Sequence, residues 1–164
     1  MWKPSRRAGY VCLSAFFTVL IFGVLWFANP VIGYRVCITS DGTVLYDAPA
    51  ETDTIEVDFR HSVNKGKIRE IYQIDRKRCQ LALKTGYFEN YGAGMLDTVP
   101  EDIGFRYEDS YLVLDFPLRY QDSFTYRAGP EAGHTILYGT DVLPIYKTIP
   151  MKSFNILVVA EHLH

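Results

Sequence analysis

The chain has 164 residues, 48% of them hydrophobic and 22% charged, a length that suits one folded domain with an appended segment rather than two full domains. Its 17 basic and 19 acidic residues give a net charge of −2, without the basic excess of nucleic-acid-binding proteins, so we expect no nucleic-acid partner. Aromatic residues reach 15%, which favours β-strands over a helical bundle.

The N-terminal region has the pattern of a membrane anchor. No charged side chain occurs between residues 8 and 34, and a helix of this run, at ~1.5 Å per residue, is long enough to cross the ~30 Å hydrocarbon core. Three basic residues precede it and predict a cytoplasmic N-terminus: Lys3, Arg6 and Arg7. We therefore predict a cytoplasmic segment at 1–7, a single transmembrane helix at 8–30 in the lipid bilayer of the bacterial inner membrane, and a periplasmic β-domain at 31–164.

A cleaved signal peptide is the alternative for the same region. Its apolar core would span ~7–15 residues, shorter than the run observed, but cleavage after Gly33 stays open. Both alternatives export the rest of the chain to an oxidising compartment, where Cys37 and Cys79 can pair. The sequence leaves open whether they form a disulfide.

Short alternating segments dominate the chain after residue 35, and none shows a sustained helical period. The segment 86–100, rich in glycine, is predicted to be a loop. This pattern predicts an all-β fold, an antiparallel β-sandwich or a partly open barrel, preceded by the transmembrane helix. The predicted strands are 34–39, 43–46, 54–63, 68–76, 79–85, 112–116, 124–127, 135–138, 141–145 and 154–160.

One predicted hairpin places polar groups on an apolar face. A turn at Lys65-Gly66 would pair strand 54–63 with strand 68–76 and set His61 opposite Glu70 among apolar neighbours. A carboxylate buried there needs a partner, which the imidazole supplies. We interpret the pair either as a structural pair that sets the register or as a ligand or partner pocket around His61, Ser62 and Glu70. A different register would remove it.

A second candidate lies in the glycine-rich loop. Tyr91, Gly92 and Gly94 form either a tight structural loop near the hairpin end or a backbone nest for a carboxylate. Catalysis is not expected, because adjacent strand residues point to opposite faces and Ser62 therefore cannot donate to His61. We predict a protein that is not an enzyme, with no metal site and no cofactor.

The order of these motifs resembles a known family. The residues concerned are Arg60-His61-Ser62-Val63, Glu70 and Tyr91-Gly92-Ala93-Gly94-Met95, and the resemblance covers about residues 36–145. The family is the small domain of unknown function encoded beside TAXI-type TRAP transporters. The resemblance implies an accessory subunit whose periplasmic β-domain contacts the transporter membrane subunits or the TAXI solute-binding protein. The alternative is a periplasmic module that binds or senses a small organic acid.

Overall fold

A computed structural model describes residues 16–24, 26, 28–89 and 100–163 of the chain. Residues 34–160 form one compact unit, and the described residues of 16–33 and 161–163 belong to a second. In that second unit residues 16–24, 26 and 28 are helical. Over the described ranges, no helix has both the length and the apolar character needed to cross a membrane. Residues 1–15, which include the start of the predicted transmembrane helix, lie outside the described residues.

Eleven strands make up most of the described chain. They are β1 (Val31–Ser40), β2 (Thr43–Pro49), β3 (Thr54–Arg60), β4 (Lys67–Asp75), β5 (Gln80–Glu89), β6 (Gly104–Glu108), β7 (Tyr111–Asp115), β8 (Ser123–Arg127), β9 (Thr135–Tyr138), β10 (Asp141–Leu143) and β11 (Ser153–His162). A single helical turn, Ile145–Thr148, follows β10.

The strands form two antiparallel sheets. One has four strands in the order β2-β1-β11-β8, and the other has seven in the order β10-β9-β3-β4-β5-β7-β6. The prediction of an all-β fold is therefore confirmed. The seven-stranded sheet grows outward from the β3–β4 hairpin, because each added strand pairs antiparallel with the edge before it.

The core explains why the alternation along the chain predicted these strands. Side chains two residues apart point to the same face of a strand, so each apolar series buries together. Both sheets contribute to one buried cluster, as expected of two packed layers. Its fully buried members include Val36, Ile38, Phe154 and Ile156 from the four-stranded sheet and Ile55, Val57, Leu81 and Ile136 from the seven-stranded sheet.

The predicted strands 54–63 and 141–145 end earlier, at Arg60 and Leu143, and Ile145 begins the helical turn. Two further elements differ from the prediction for physical reasons. All five residues of β6 are exposed, so no buried face marked this edge strand in the sequence. Strand β5 extends to Glu89, into the segment predicted to be a loop, because it pairs with β7 up to the contact of Glu89 with Tyr111. Tyr91, Gly92 and Gly94 lie outside the described residues.

Candidate functional site

The β3–β4 hairpin forms with a longer loop than predicted. Arg60 pairs with Lys67, which leaves a six-residue loop over 61–66, and Glu70 faces Val57 instead of His61. The predicted His61–Glu70 pair is therefore wrong. Because the shift is an even number of residues, Glu70 keeps its place on the inner, apolar face.

His61 satisfies the hydrogen bonds of its own loop instead. Its Nδ1 accepts from the backbone N–H groups of Val63, at 3.3 Å, and Asn64, at 3.4 Å. The backbone N–H of His61 donates to the Gly66 carbonyl at 2.9 Å. Side-chain acceptors of this kind compete with strand pairing, which explains why the ladder stops at Arg60. Ser62 is exposed in the same loop, so the structure does not bring His61, Ser62 and Glu70 together as a pocket.

Glu70 finds its partners in two tyrosines. The Tyr72 hydroxyl donates to Glu70 Oε2 at 2.9 Å, and the Tyr126 hydroxyl, from the other sheet, donates to the same oxygen. Burial raises the pKa of Glu70, while the two hydroxyl donors partly offset this effect. The three groups form a polar contact between the sheets within the apolar core.

His134 lies beside this contact in an aromatic surround. Its ring stacks on Phe59 with centroids 4.9 Å apart, and Tyr126 and Phe154 lie at 5.6 and 5.9 Å. The side chain is buried, and its Nδ1 has no hydrogen-bond partner among the described residues. Burial lowers the pKa of His134, so the fold favours the neutral imidazole.

We expect His134 to make the protein less stable in mild acid. Its folded pKa lies below the ordinary value of 6.5, so the unfolded chain binds the proton more tightly. The contribution of neutral His134 to the free energy of unfolding is fully present above pH 6.5, and it is lost as the pH falls through the lowered pKa of the folded state. Urea unfolding at pH 7.5 and 5.5 should show a smaller acid loss for His134→Phe than for the wild type.

The exposed His162 provides the matched control for this prediction. His162→Phe should keep the acid loss of the wild type. Glu70, with its raised pKa, works in the opposite direction: its stabilising effect is present at low pH and declines as the pH rises. Glu70 is present in all three proteins, so its effect enters each of the three measured acid losses and opposes that of His134. Equal acid losses in the wild type and His134→Phe would contradict the assignment.

Cys37 and Cys79 are both free thiols. The Cys37 Sγ donates to Asp47 Oδ1 at 3.4 Å, and burial with this contact raises the pKa of Cys37 to about 11. The Cys79 Sγ instead donates to the Arg76 carbonyl at 3.6 Å. The disulfide that the sequence left open does not form in this structure.

A cavity lies on the outer face of the seven-stranded sheet. We call it the outer groove, and its volume is about 690 Å³. Most of its floor consists of outward-facing residues of β3, β4, β5 and β7, and residues 130–133 with Tyr146 form one wall. The backbone bond from the Arg60 N–H to the Ala132 carbonyl, 2.7 Å long, fixes that wall to the end of β3.

Two cations stand opposite each other in the outer groove. Arg60 and Lys67 are register partners at the end of the hairpin, and both are exposed. Over residues 28–89 and 100–163, no acidic side chain forms an ion pair with either. The nearby acidic side chains have other contacts. Glu89 accepts a hydrogen bond from the backbone N–H of Lys67 at 3.0 Å, and Glu131 forms an ion pair with Lys65 at 3.0 Å. Directly opposed like charges destabilise a sheet.

The rest of the floor is polar and aromatic. Arg69 forms a forked pair with Asp58, from Nε to Oδ1 at 3.0 Å and from Nη2 to Oδ2 at 3.4 Å. Beyond it, the rings of Tyr87 and Tyr111 meet edge to face with centroids 6.3 Å apart. The arrangement offers two cations without a side-chain ion pair among the described residues, beside an aromatic surface, which suits an organic anion.

Comparison with known protein families shows to which family the chain belongs. A family model, described as a domain of unknown function (DUF1850), matches residues 55–145, more than half of the chain. The chain belongs to this family. The DUF1850 match extends from β3 to the helical turn after β10, and so contains Arg60, Lys67, Tyr87 and Tyr111 of the outer groove. No curated protein and no solved structure matches the chain.

The predicted pocket around His61, Ser62 and Glu70 and the outer groove lie at the same end of the β3–β4 hairpin, but Glu70 faces the core on the opposite side of the sheet from the groove. The alternation of strand side chains places Arg60 on the outer face, and any even shift of register keeps it there. This was the signal in the sequence that could have located the outer groove. The wall of the groove had no such signal, because residues 130–133 and Tyr146 are distant from the hairpin in the chain.

Proposed function

We propose that the β-domain binds a small organic acid in the outer groove. The observation that supports this proposal most directly is the Arg60–Lys67 pair, two opposed cations at one end of a cavity of about 690 Å³. A cavity of this size falls in the range of small-molecule sites, which combine a largely apolar or aromatic lining with a few placed polar groups.

Electrostatics favours an anion over a neutral ligand. Three basic and two acidic side chains line the groove, a net charge of +1. The chain without Lys3, Arg6 and Arg7 has 14 basic and 19 acidic residues, so the groove is locally positive on an acidic domain. A carboxylate between Arg60 and Lys67 would remove their mutual repulsion and accept charge-assisted hydrogen bonds from both. The Arg69–Asp58 pair leaves Arg69 largely neutralised, which restricts the free positive charge to the hairpin end.

Calorimetric titration of the full chain in mild detergent against a panel of organic acids tests this proposal. Loss of one charge-assisted hydrogen bond costs about 1.5–3 kcal/mol, so Arg60→Gln and Lys67→Gln should each weaken binding by about tenfold to a hundredfold. Lys77→Gln is the matched control, because Lys77 lies exposed in the β4–β5 turn, at the other end of β4. Binding that is absent across the panel, or equal in all variants, rejects the proposal.

The sequence resemblance supports a setting for this activity. We propose that the protein is an accessory subunit of a TAXI-type TRAP transporter, with the β-domain in the periplasm against the membrane subunits or the solute-binding protein. The residues that the DUF1850 model matches, 55–145, include the His61-Ser62-Val63 and Glu70 motifs on which that resemblance rests. An acid-binding domain would suit a system that imports organic acids.

We further propose that the N-terminal region anchors the protein in the inner membrane. The run from residue 8 to 34 is uncharged, and the described helical residues expose large apolar side chains: Phe16 at 64%, Val19 at 71% and Phe22 at 69%.

A pull-down tests the accessory role. Tagged full-length protein, extracted with a detergent that keeps the transporter intact, should retain transporter subunits. Membrane-fraction protein that retains none of them would reject the accessory role without affecting the acid-binding proposal.

A further inference from the structure

The outer groove has tyrosines on two sides. Tyr87 and Tyr111 lie on its floor, and Tyr146 stands in the opposite wall, and all three are half-buried. The floor pair already adopts the edge-to-face geometry of aromatic contacts, with an angle of 79° between the rings.

The strand register places these rings close to the cations. Arg69 faces Tyr87 directly across β4 and β5. Lys67 is two residues before Arg69 on the same face, so it is a diagonal neighbour of Tyr87, at about 7–8 Å between backbones. A carboxylate bound at Arg60 and Lys67 therefore has an aromatic surface one short step away.

From this juxtaposition we infer that the acid bound in the outer groove is an aromatic carboxylate. The inference rests on the proposed function and names its ligand class. The carboxylate lies between Arg60 and Lys67, and the ring, one or two bonds away, packs against Tyr87 and Tyr111. An acid as small as acetate would fill only a small part of about 690 Å³ and would leave the tyrosines in contact with water.

A matched set of probes tests the ligand class. Calorimetry of the full chain compares phenylacetate, cyclohexylacetate and acetate, which share the carboxylate and differ in the group attached to it. Cyclohexylacetate is at least as hydrophobic as phenylacetate, so burial alone gives no preference for the aromatic acid. We expect phenylacetate to bind about threefold to tenfold more tightly than cyclohexylacetate, from aromatic geometry.

Two tyrosine variants locate this preference. Tyr111→Leu should abolish the preference for phenylacetate over cyclohexylacetate. Tyr107→Leu is the control, because Tyr107 is 77% exposed on β6 and does not line the groove. It should keep the preference.

The outcomes separate this inference from the proposed function. Equal affinity for phenylacetate and cyclohexylacetate, with binding that still depends on Arg60 and Lys67, overturns the aromatic class and leaves acid binding in place. A preference that persists in Tyr111→Leu overturns the assignment of the ring site. No binding of any probe or of any acid in the wider panel overturns both.

Discussion

Phe154→Ala should destabilise the protein by about 3–5 kcal/mol, the usual cost of deleting a buried phenyl ring. Phe154 is 0% exposed and belongs to β11 in the four-stranded sheet. Its ring stacks on Tyr126, with centroids 5.5 Å apart, and meets edge-on, at 5.9 Å, the ring of His134, which directly precedes β9 of the other sheet. Alanine would leave a cavity between the sheets that neighbours held by backbone ladders cannot close.

Urea unfolding of the full chain, followed by far-ultraviolet circular dichroism, measures this loss. Phe105→Ala is the matched control, because Phe105 is 62% exposed on β6 and its deletion removes the same atoms from a solvated site. We expect the control to change the free energy of unfolding by about 0.5 kcal/mol or less. Similar losses in the two variants would show that Phe154 does not join the sheets.

Gly66→Ala should disturb the hairpin end and the outer groove together. A Cβ at Gly66 would lie 3.0 Å from the Glu89 carbonyl carbon and closer still to its oxygen. Because both atoms are backbone, a side-chain rotation cannot relieve the contact, and β4 must move away from β5. We expect a loss of about 1–3 kcal/mol in stability, as for other overpacked sites. Lys67 is the next residue, so acid binding should weaken as well.

Gly129→Ala is the control for this substitution. A Cβ at Gly129 meets only the Ala132 Cβ, at an ordinary 3.9 Å, so the variant should keep both the stability and the acid affinity of the wild type. Urea unfolding and calorimetry report the two effects separately. Gly66→Ala that is as stable as Gly129→Ala would contradict the tight contact. If Gly66→Ala instead lowers the stability but leaves the acid affinity unchanged, the ligand binds away from the hairpin end.

Local periodicity predicted most strands because it is a property of neighbouring residues. The alternation of Ile55, Val57 and Phe59 requires an extended chain with one apolar face, whatever that face packs against. The inward position of Glu70 could be predicted in the same way, since parity survives an even change of register. Strand β6 could not, because its five exposed residues carry no buried face.

The partners of each site could not be predicted from local pattern. The hairpin register depends on a competition between ladder pairing and the hydrogen bonds that the His61 ring accepts within its loop, and only the folded chain resolves it. Tyr126, the partner of Glu70 in the other sheet, is 56 residues away in the chain, and no motif near Glu70 indicates that the two side chains meet. The outer groove also depends on a wall that lies far from β3 and β4 in sequence. Residue pattern therefore determined which residues of the half-buried strands are extended and which way they face. Long-range packing determined what each of them contacts, because contacts between distant segments leave no local period in the chain.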